Sequence, residues 1–208
     1  MTPKITLTKD RAQIPVAQPL EKTIQIPPSK SITNRVIHLA ALSKGTSIIQ
    51  SPLVCDDTQA MVNIWRSLGA SINIYDDHLQ IKGVSGRLRP LSSDLYTRDA
   101  GTVARFVGAC LLLSTESLKL TGSSQMTQRP MKDLFMALSK LGAQILYLEK
   151  PYALPIICKG YDTLSSKETI SLSGQKSSQF LSALLMVSPL LQGNLNIILS
   201  DKLVSKPY

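Results

Sequence analysis

The chain has 208 residues, of which 43% are hydrophobic and 18% charged. That composition can fill a core and excludes a disordered chain, while the longest apolar runs, Phe106–Leu113 and Phe180–Leu191, are too short or too interrupted to cross a bilayer. A net charge of +9, carried by scattered cations with few aromatics among them, favours discrete sites for small anions over a nucleic-acid surface.

The amino terminus, MTPKITLTKDRAQ, lacks the apolar core of a secretory signal, so a cytoplasmic location is expected. Arg11–Pro19 reads as an irregular lead-in or linker. Thr23–Ile26 reads as the first strand, ended by Pro27-Pro28. A helix over Ser31–Ser43 and a short strand at Thr46–Gln50 follow. The second helix enters through Asp56-Asp57-Thr58, where an aspartate suits the cap, and stops at Leu68-Gly69-Ala70. A β-branched strand and the strand His78–Val84 close this unit.

The order then repeats. Gly101–Ser114 is a helix and Leu118–Thr121 a strand; a further helix enters through Arg129-Pro130-Met131, with proline in its first turn. It stops at Leu141-Gly142-Ala143 and leads into two more strands. The segments MVNIWRSLGASINIY (Met61–Tyr75) and LFMALSKLGAQILYL (Leu134–Leu148) share this helix-to-strand pattern. The repeat is roughly 70–75 residues long, which marks a supersecondary unit. Ile170–Leu172 leads into a third copy, with a helix over Ser177–Leu190 and a strand at Leu195–Leu199. Lys206-Pro207-Tyr208 reads as the start of its second helix, so the expectation is a fragment stopped at a helix start.

Chemistry concentrates where the helices begin. Free backbone N–H groups and the positive end of the dipole make a helix start an anion site. In PPSKSITNR, Lys30 adds a charge, Ser31 a hydroxyl and Arg35 a planar fork on the same helical face. A phosphate or carboxylate fits there; the alternative is that Ser31 caps the helix and Arg35 pairs with a surface acid. The second copy offers Asp99-Ala100-Gly101-Thr102 with Arg105 one turn on, or an ordinary start capped by Asp99. The third offers Ser177-Ser178-Gln179, or capping by one serine. Equivalent places in a repeat converge on one region, which favours the anion-site reading at all three helix starts. Arg129 is a further fork for carboxylate or phosphate, or a surface ion pair.

Other polar residues read as structural. Asp56-Asp57 suits a helix cap better than a paired acid site, His38 lies mid-helix and reads as packed, and His78 reads as a turn residue. Cys55, Cys110 and Cys158 form no CxxC and no zinc pattern with either histidine. Reduced thiols and no metal are expected, with Cys110 buried in an apolar helix.

The pieces PPSKSITNR, DDT, AGTVAR, QRPM, SGQKSSQFLSALLM and DKLVSKPY, in this order, resemble the 5-enolpyruvylshikimate-3-phosphate synthases (3-phosphoshikimate 1-carboxyvinyltransferases) over roughly residues 23–208. The resemblance implies an α+β fold of repeated βαβαββ units, the inside-out α/β barrel of the enolpyruvyl transferases, with its third unit truncated. Residues 1–22 would then belong to or link to an absent second domain. Residues 23–208 would form the shikimate-3-phosphate-binding domain, incomplete at its carboxyl end.

The implied reaction belongs to aromatic amino acid biosynthesis. The 5-hydroxyl of shikimate 3-phosphate adds to C2 of phosphoenolpyruvate while C3 takes a proton, and phosphate then leaves. The resemblance implies no metal or organic cofactor, a monomer, and neither a nucleic-acid nor a membrane partner. Lys30 resembles the lysine that meets both substrates and assists phosphate departure. Ser31, Arg35, Ser177, Ser178, Gln179, Ser205 and Tyr208 resemble shikimate 3-phosphate ligands. Gly101, Thr102, Arg129 and Gln179 resemble the phosphoenolpyruvate site.

Departures from the family pattern are Arg98-Asp99, where members often read Gly-Asn, and Phe106, where many have proline. Asp99 either points away from the anion or alters its binding. The family's acid/base carboxylate and lysine lie in the half that is missing here, so no turnover is expected from this chain alone. The alternatives are a non-catalytic binding module for phosphorylated metabolites and, last, a nucleic-acid binder supported only by the basic composition.

Overall fold

The computed structural model describes residues 5–16, 21–160, 167–175, 177–191 and 193–206. The elements run, in chain order, β1 (Thr6–Leu7), β2 (Ala12–Gln13), α1 (Lys30–Leu42), β3 (Thr46–Gln50), α2 (Asp56–Ser67), β4 (Ser71–Ile74), β5 (His78–Lys82), β6 (Asp94–Tyr96), α3 (Gly101–Cys110), β7 (Leu118–Thr121), α4 (Lys132–Lys140), β8 (Gln144–Tyr147), β9 (Ile156–Lys159), β10 (Lys167–Leu172), α5 (Ser178–Val187) and β11 (Asn194–Leu199).

One plan appears in three degrees of completeness. The second unit has the four-stranded order β6-β7-β9-β8, parallel between β6 and β7 and antiparallel elsewhere. The first unit has β3-β5-β4, the same order without the leading strand. The third has only the parallel pair β10-β11, with Ile170 opposite Ile197. The helices pack inward. α3 (GTVARFVGAC), apolar except for Thr102 and Arg105, is buried along its whole length against α1, α2, α4 and α5. Sheets cover the outside, so β3 shows half-buried and exposed residues in alternation.

Several local expectations are corrected. Thr23–Ile26 is exposed and forms no strand, and nothing pairs with the outer edge of β3 among the described residues. The two prolines that follow can donate no ladder hydrogen bond, and Ile24 and Ile26 gain no buried face that would hold a short strand. The lead-in is not wholly irregular either, because Ala12–Gln13 pairs with Thr6–Leu7. Two of the three first helices end early: α3 tightens into a 3-10 turn at Leu111–Leu113, and α5 into one at Ser188–Leu190 that contains Pro189.

The caps also differ. Ser29, not Ser31, caps α1, its hydroxyl accepting from the Ile32 N–H at 3.4 Å. Cys55 is the cap of α2, and its N–H donates to the Thr58 hydroxyl at 3.0 Å. Asp56 and Asp57 lie in the first turn instead, where the dipole favours acids. Ala100 occupies the cap position of α3, and Met131 that of α4, so Pro130 precedes the helix. Gly69 and Gly142 end α2 and α4 with φ of +98° and +99°, the left-handed stop read from their positions.

His38 is packed as expected. The Trp65 indole N–H donates to its Nδ1 at 3.3 Å, so the ring proton sits on Nε2, 3.3 Å from the Cys110 sulfur. Burial holds His38 down to about 3 and pushes the Cys110 thiol up. Cys158, also buried, is pushed up to about 12, and all three cysteines are free thiols. His78 is not a turn residue: it opens β5, bonds the Asp77 carboxylate at 2.6 Å and stacks on Tyr75.

Candidate anion-binding site at the helix starts

Ser29 turns the chain into α1 and leaves Lys30 at the first helical position. The Lys30 ammonium lies 3.0 Å from an Asp57 carboxylate oxygen in α2, with 52% of its side chain exposed. One turn on, Arg35 donates from Nη1 to the Ser31 carbonyl at 2.9 Å and from Nη2 to the Ser182 hydroxyl of α5 at 3.4 Å. Its guanidinium lies over the Phe106 ring of α3, 5.1 Å from the centroid.

The start of α3 is more crowded with charge. A Cβ added to Gly101 would lie 2.8 Å from Nη1 of Arg105 and 2.9 Å from Nη1 of Arg129. Glycine is therefore what lets two guanidinium groups approach one stretch of backbone. Arg105, only 8% exposed, donates to the Gln179 amide oxygen at 2.6 Å and to the Pro130 carbonyl at 3.4 Å. Its Nε is buried and meets no acceptor among the described residues. Burial first, and then the charge of Arg129, lower the pKa of Arg105. No acidic side chain pairs with Arg105 or Arg129 among the described residues.

α5 completes the cluster. Ser177 caps it by accepting from the Gln179 N–H at 3.2 Å. The Gln179 side chain accepts from Arg105 and donates to the Thr102 hydroxyl at 3.3 Å, so it bridges two residues of α3. Ser178 is buried. The first helices of the three units thus meet directly, through Arg35 with Ser182 and through Thr102 and Arg105 with Gln179, and Arg129 enters from the loop before α4.

The acids nearby are turned to other work. Asp99 accepts from the Ser123 hydroxyl, which in turn accepts from the Met126 N–H at 3.2 Å. Its carboxylate is thus engaged with the loop that leads to Arg129. Asp56 accepts from Arg98 at 3.1 Å, and Asp57 faces Lys30, so the Asp56-Asp57 pair is not a bare acid couple. Arg98 holds a φ of +54°.

Ser205 is not drawn into the cluster. It is exposed, with a φ of +53°, and no hydrogen bond joins it to the helix starts among the described residues. Tyr208 lies outside the described residues. Arg105 is the residue whose weight the sequence understated. Its signal was present: Gly101 to Arg105 has the spacing of Ser31 to Arg35. Two adjacent guanidinium groups at a helix start, with no acid between them, form a fork for a phosphate or carboxylate.

Residues 15–208 match the family model of EPSP synthase (3-phosphoshikimate 1-carboxyvinyltransferase). A 3-phosphoshikimate 1-carboxyvinyltransferase of Cronobacter sakazakii is 40% identical over 197 residues, which is 93% of this chain and 45% of that protein. One of Haemophilus ducreyi is 40% identical over 195 residues, covering 91% and 44%. An EPSP synthase structure from Acinetobacter baumannii, 24% identical, superposes with a TM-score of 0.78 over 88% of this chain and 41% of that one, which shows the shared fold. The chain spans about half the length of the curated relatives it matches.

Proposed function

The chain belongs to the EPSP synthase family, and on that premise we propose that it carries the shikimate 3-phosphate half-site, with part of the phosphoenolpyruvate site, of an enolpyruvyl transferase. Residues 23–208 are the substrate-binding domain in this reading, and residues 1–22 lead to a second domain. The observation that supports it best is the convergence at Gly101. Two guanidinium groups, one of them buried, flank it with no acid beside them. Like charges this close repel, and an anion between them reverses the sign of that interaction.

Arg129 and Arg105 grip the phosphate of phosphoenolpyruvate, with Gly101 and Thr102 at its edge. Arg35 takes the shikimate carboxylate, and Ser31, Ser177 and Ser178 supply hydroxyls to shikimate 3-phosphate; Ser205, which stands apart from the helix starts here, and Tyr208 would join them only with the ligand bound. Gln179 lies over the ring and meets both substrates. Lys30 leaves Asp57 for the substrates, where its charge stabilises the phosphate as it departs. These groups work by placing positive charge where negative charge develops. Proton transfer to C3 and from the 5-hydroxyl needs an acid and a base within hydrogen-bond reach. Among the described residues His38 is buried and neutral, and the family resemblance puts the acid and the base in the half that this chain does not include. In this reading the chain binds shikimate 3-phosphate as a monomer, needs no metal or organic cofactor to do so, and does not turn over by itself.

Calorimetric titration of shikimate 3-phosphate into the chain tests this, with Arg35→Ala and Ser177→Ala beside it. Saturable binding lost in both variants supports the half-site. A folded chain that does not bind overturns it, and phosphate release by the pure chain overturns the claim of inactivity.

A further inference from the structure

Both arginines that reach between the first helices rest on buried aromatic rings. Arg35 lies over Phe106 at 5.1 Å, and Arg105 lies over Phe180 at 5.3 Å. The rings are 0% and 1% exposed. The arrangement runs head to tail. The arginine of α1 lies on the phenylalanine of α3, the arginine of α3 lies on the phenylalanine of α5, and Ser182 of α5 accepts from Arg35.

A ring beneath a guanidinium attracts the cation through its negative face. It also fixes the plane of the group, and with it the directions in which the N–H groups meet acceptors. A leucine would fill most of the same space and do neither. Phe106 is itself held from behind: the His38 ring packs on it at 5.5 Å, and His38 is fixed by Trp65 and Cys110. A packed column therefore runs from Trp65 through His38 and Phe106 to Arg35.

We propose that Phe106 is a positioning residue for Arg35, fixing the plane in which the guanidinium meets the Ser31 carbonyl, Ser182 and, in exchange for such partners, an anionic ligand at the start of α1. Phe180 does the same for Arg105. The ligand side of this inference rests on the shikimate 3-phosphate reading above; the orientation of Arg35 does not.

The test uses the 208-residue chain, labelled with nitrogen-15, and the variants Phe106→Leu, Phe106→Tyr and Arg35→Ala, the last to assign the Arg35 Nε–H resonance. The unaltered chain should show that resonance displaced by the ring current from its position in exposed arginines. Phe106→Leu should return it to the exposed position and weaken shikimate 3-phosphate binding by about 3- to 30-fold. Phe106→Tyr, which keeps the ring face, should restore both. An undisplaced resonance in the unaltered chain, or a Phe106→Leu chain binding as tightly as the original, overturns the proposal. If the unaltered chain does not bind shikimate 3-phosphate, the proposed function fails, and the resonance alone decides whether the ring orients Arg35.

Discussion

The starts of α1 and α3 occupy the same place in successive repeats and handle charge in opposite ways. At α1 each cation already has a protein partner: Lys30 faces Asp57, and Arg35 donates to the Ser31 carbonyl and to Ser182. At α3 the nearest acid, Asp99, is engaged by Ser123; Arg105 has only the neutral partners Gln179 and the Pro130 carbonyl, and Arg129 faces it across Gly101. The first arrangement is a set of donors oriented in advance. The second is a charge excess that an anion can discharge. One supersecondary plan thus supports a site that steers geometry and a site that supplies attraction.

Removing the second kind of cation should have the largest effect. Arg129→Ala should weaken phosphoenolpyruvate binding, measured calorimetrically with shikimate 3-phosphate present, by about 100-fold or more. It should leave thermal stability unchanged or slightly higher, because it relieves the repulsion on Arg105. Arg105→Ala should lose similar affinity but also cost stability of about 2–3 kcal/mol. The buried arginine packs on Phe180 and bonds Gln179 and the Pro130 carbonyl. Equal stability effects for the two arginines would break the comparison.

Gly101→Ala comes next. The new methyl would meet two guanidinium ends and no backbone, so the arginines must shift while the fold need not. About 10-fold weaker phosphoenolpyruvate binding is expected with little change in melting temperature. The same change in affinity for shikimate 3-phosphate would mean that the two helix starts are not separate in function.

Acid should act on the seam between α1 and α3, where a titratable ring is buried. His38 faces Trp65, Phe106 and Cys110, and its pKa in the fold is about 3 against about 6.5 when unfolded. The unfolded chain therefore binds the extra proton between those values. Stability from this residue is fully present above pH 6.5 and is lost as pH falls toward 3, at about 1.4 kcal/mol per pH unit. Denaturant titrations from pH 7 to 4 should show that slope, and His38→Gln should remove it.

The smallest effect belongs to the exposed ion pair. Asp57→Asn frees Lys30 and should tighten anion binding about 2-fold at low salt, with the difference gone at high salt. A loss of affinity would instead mean that Asp57 holds Lys30 in place for the ligand.

Much of this arrangement was legible in the chain. Periodicity placed α2 and α4, Gly69 and Gly142 marked their ends, and the resemblance of repeated segments revealed the unit. The misses have local causes. Thr23–Ile26 has the alternation of a strand, but a strand exists only where an edge and an apolar face receive it. Aspartates at 56 and 57 looked like caps, whereas the N–H of Cys55 found the Thr58 hydroxyl. Nothing local distinguished Phe106 from any other buried aromatic.

The glycine stops of α2 and α4 and the repeat were determined by the sequence itself, because turn geometry and periodicity act over a few neighbouring residues. The partners of the arginines were decided only by tertiary structure. Arg105 meets Gln179 across 74 positions and Arg35 meets Ser182 across 147, and no spacing rule reaches that far. Such contacts arise when α1, α3 and α5 bury their apolar residues together and the few polar residues near their starts are left with the same volume to share.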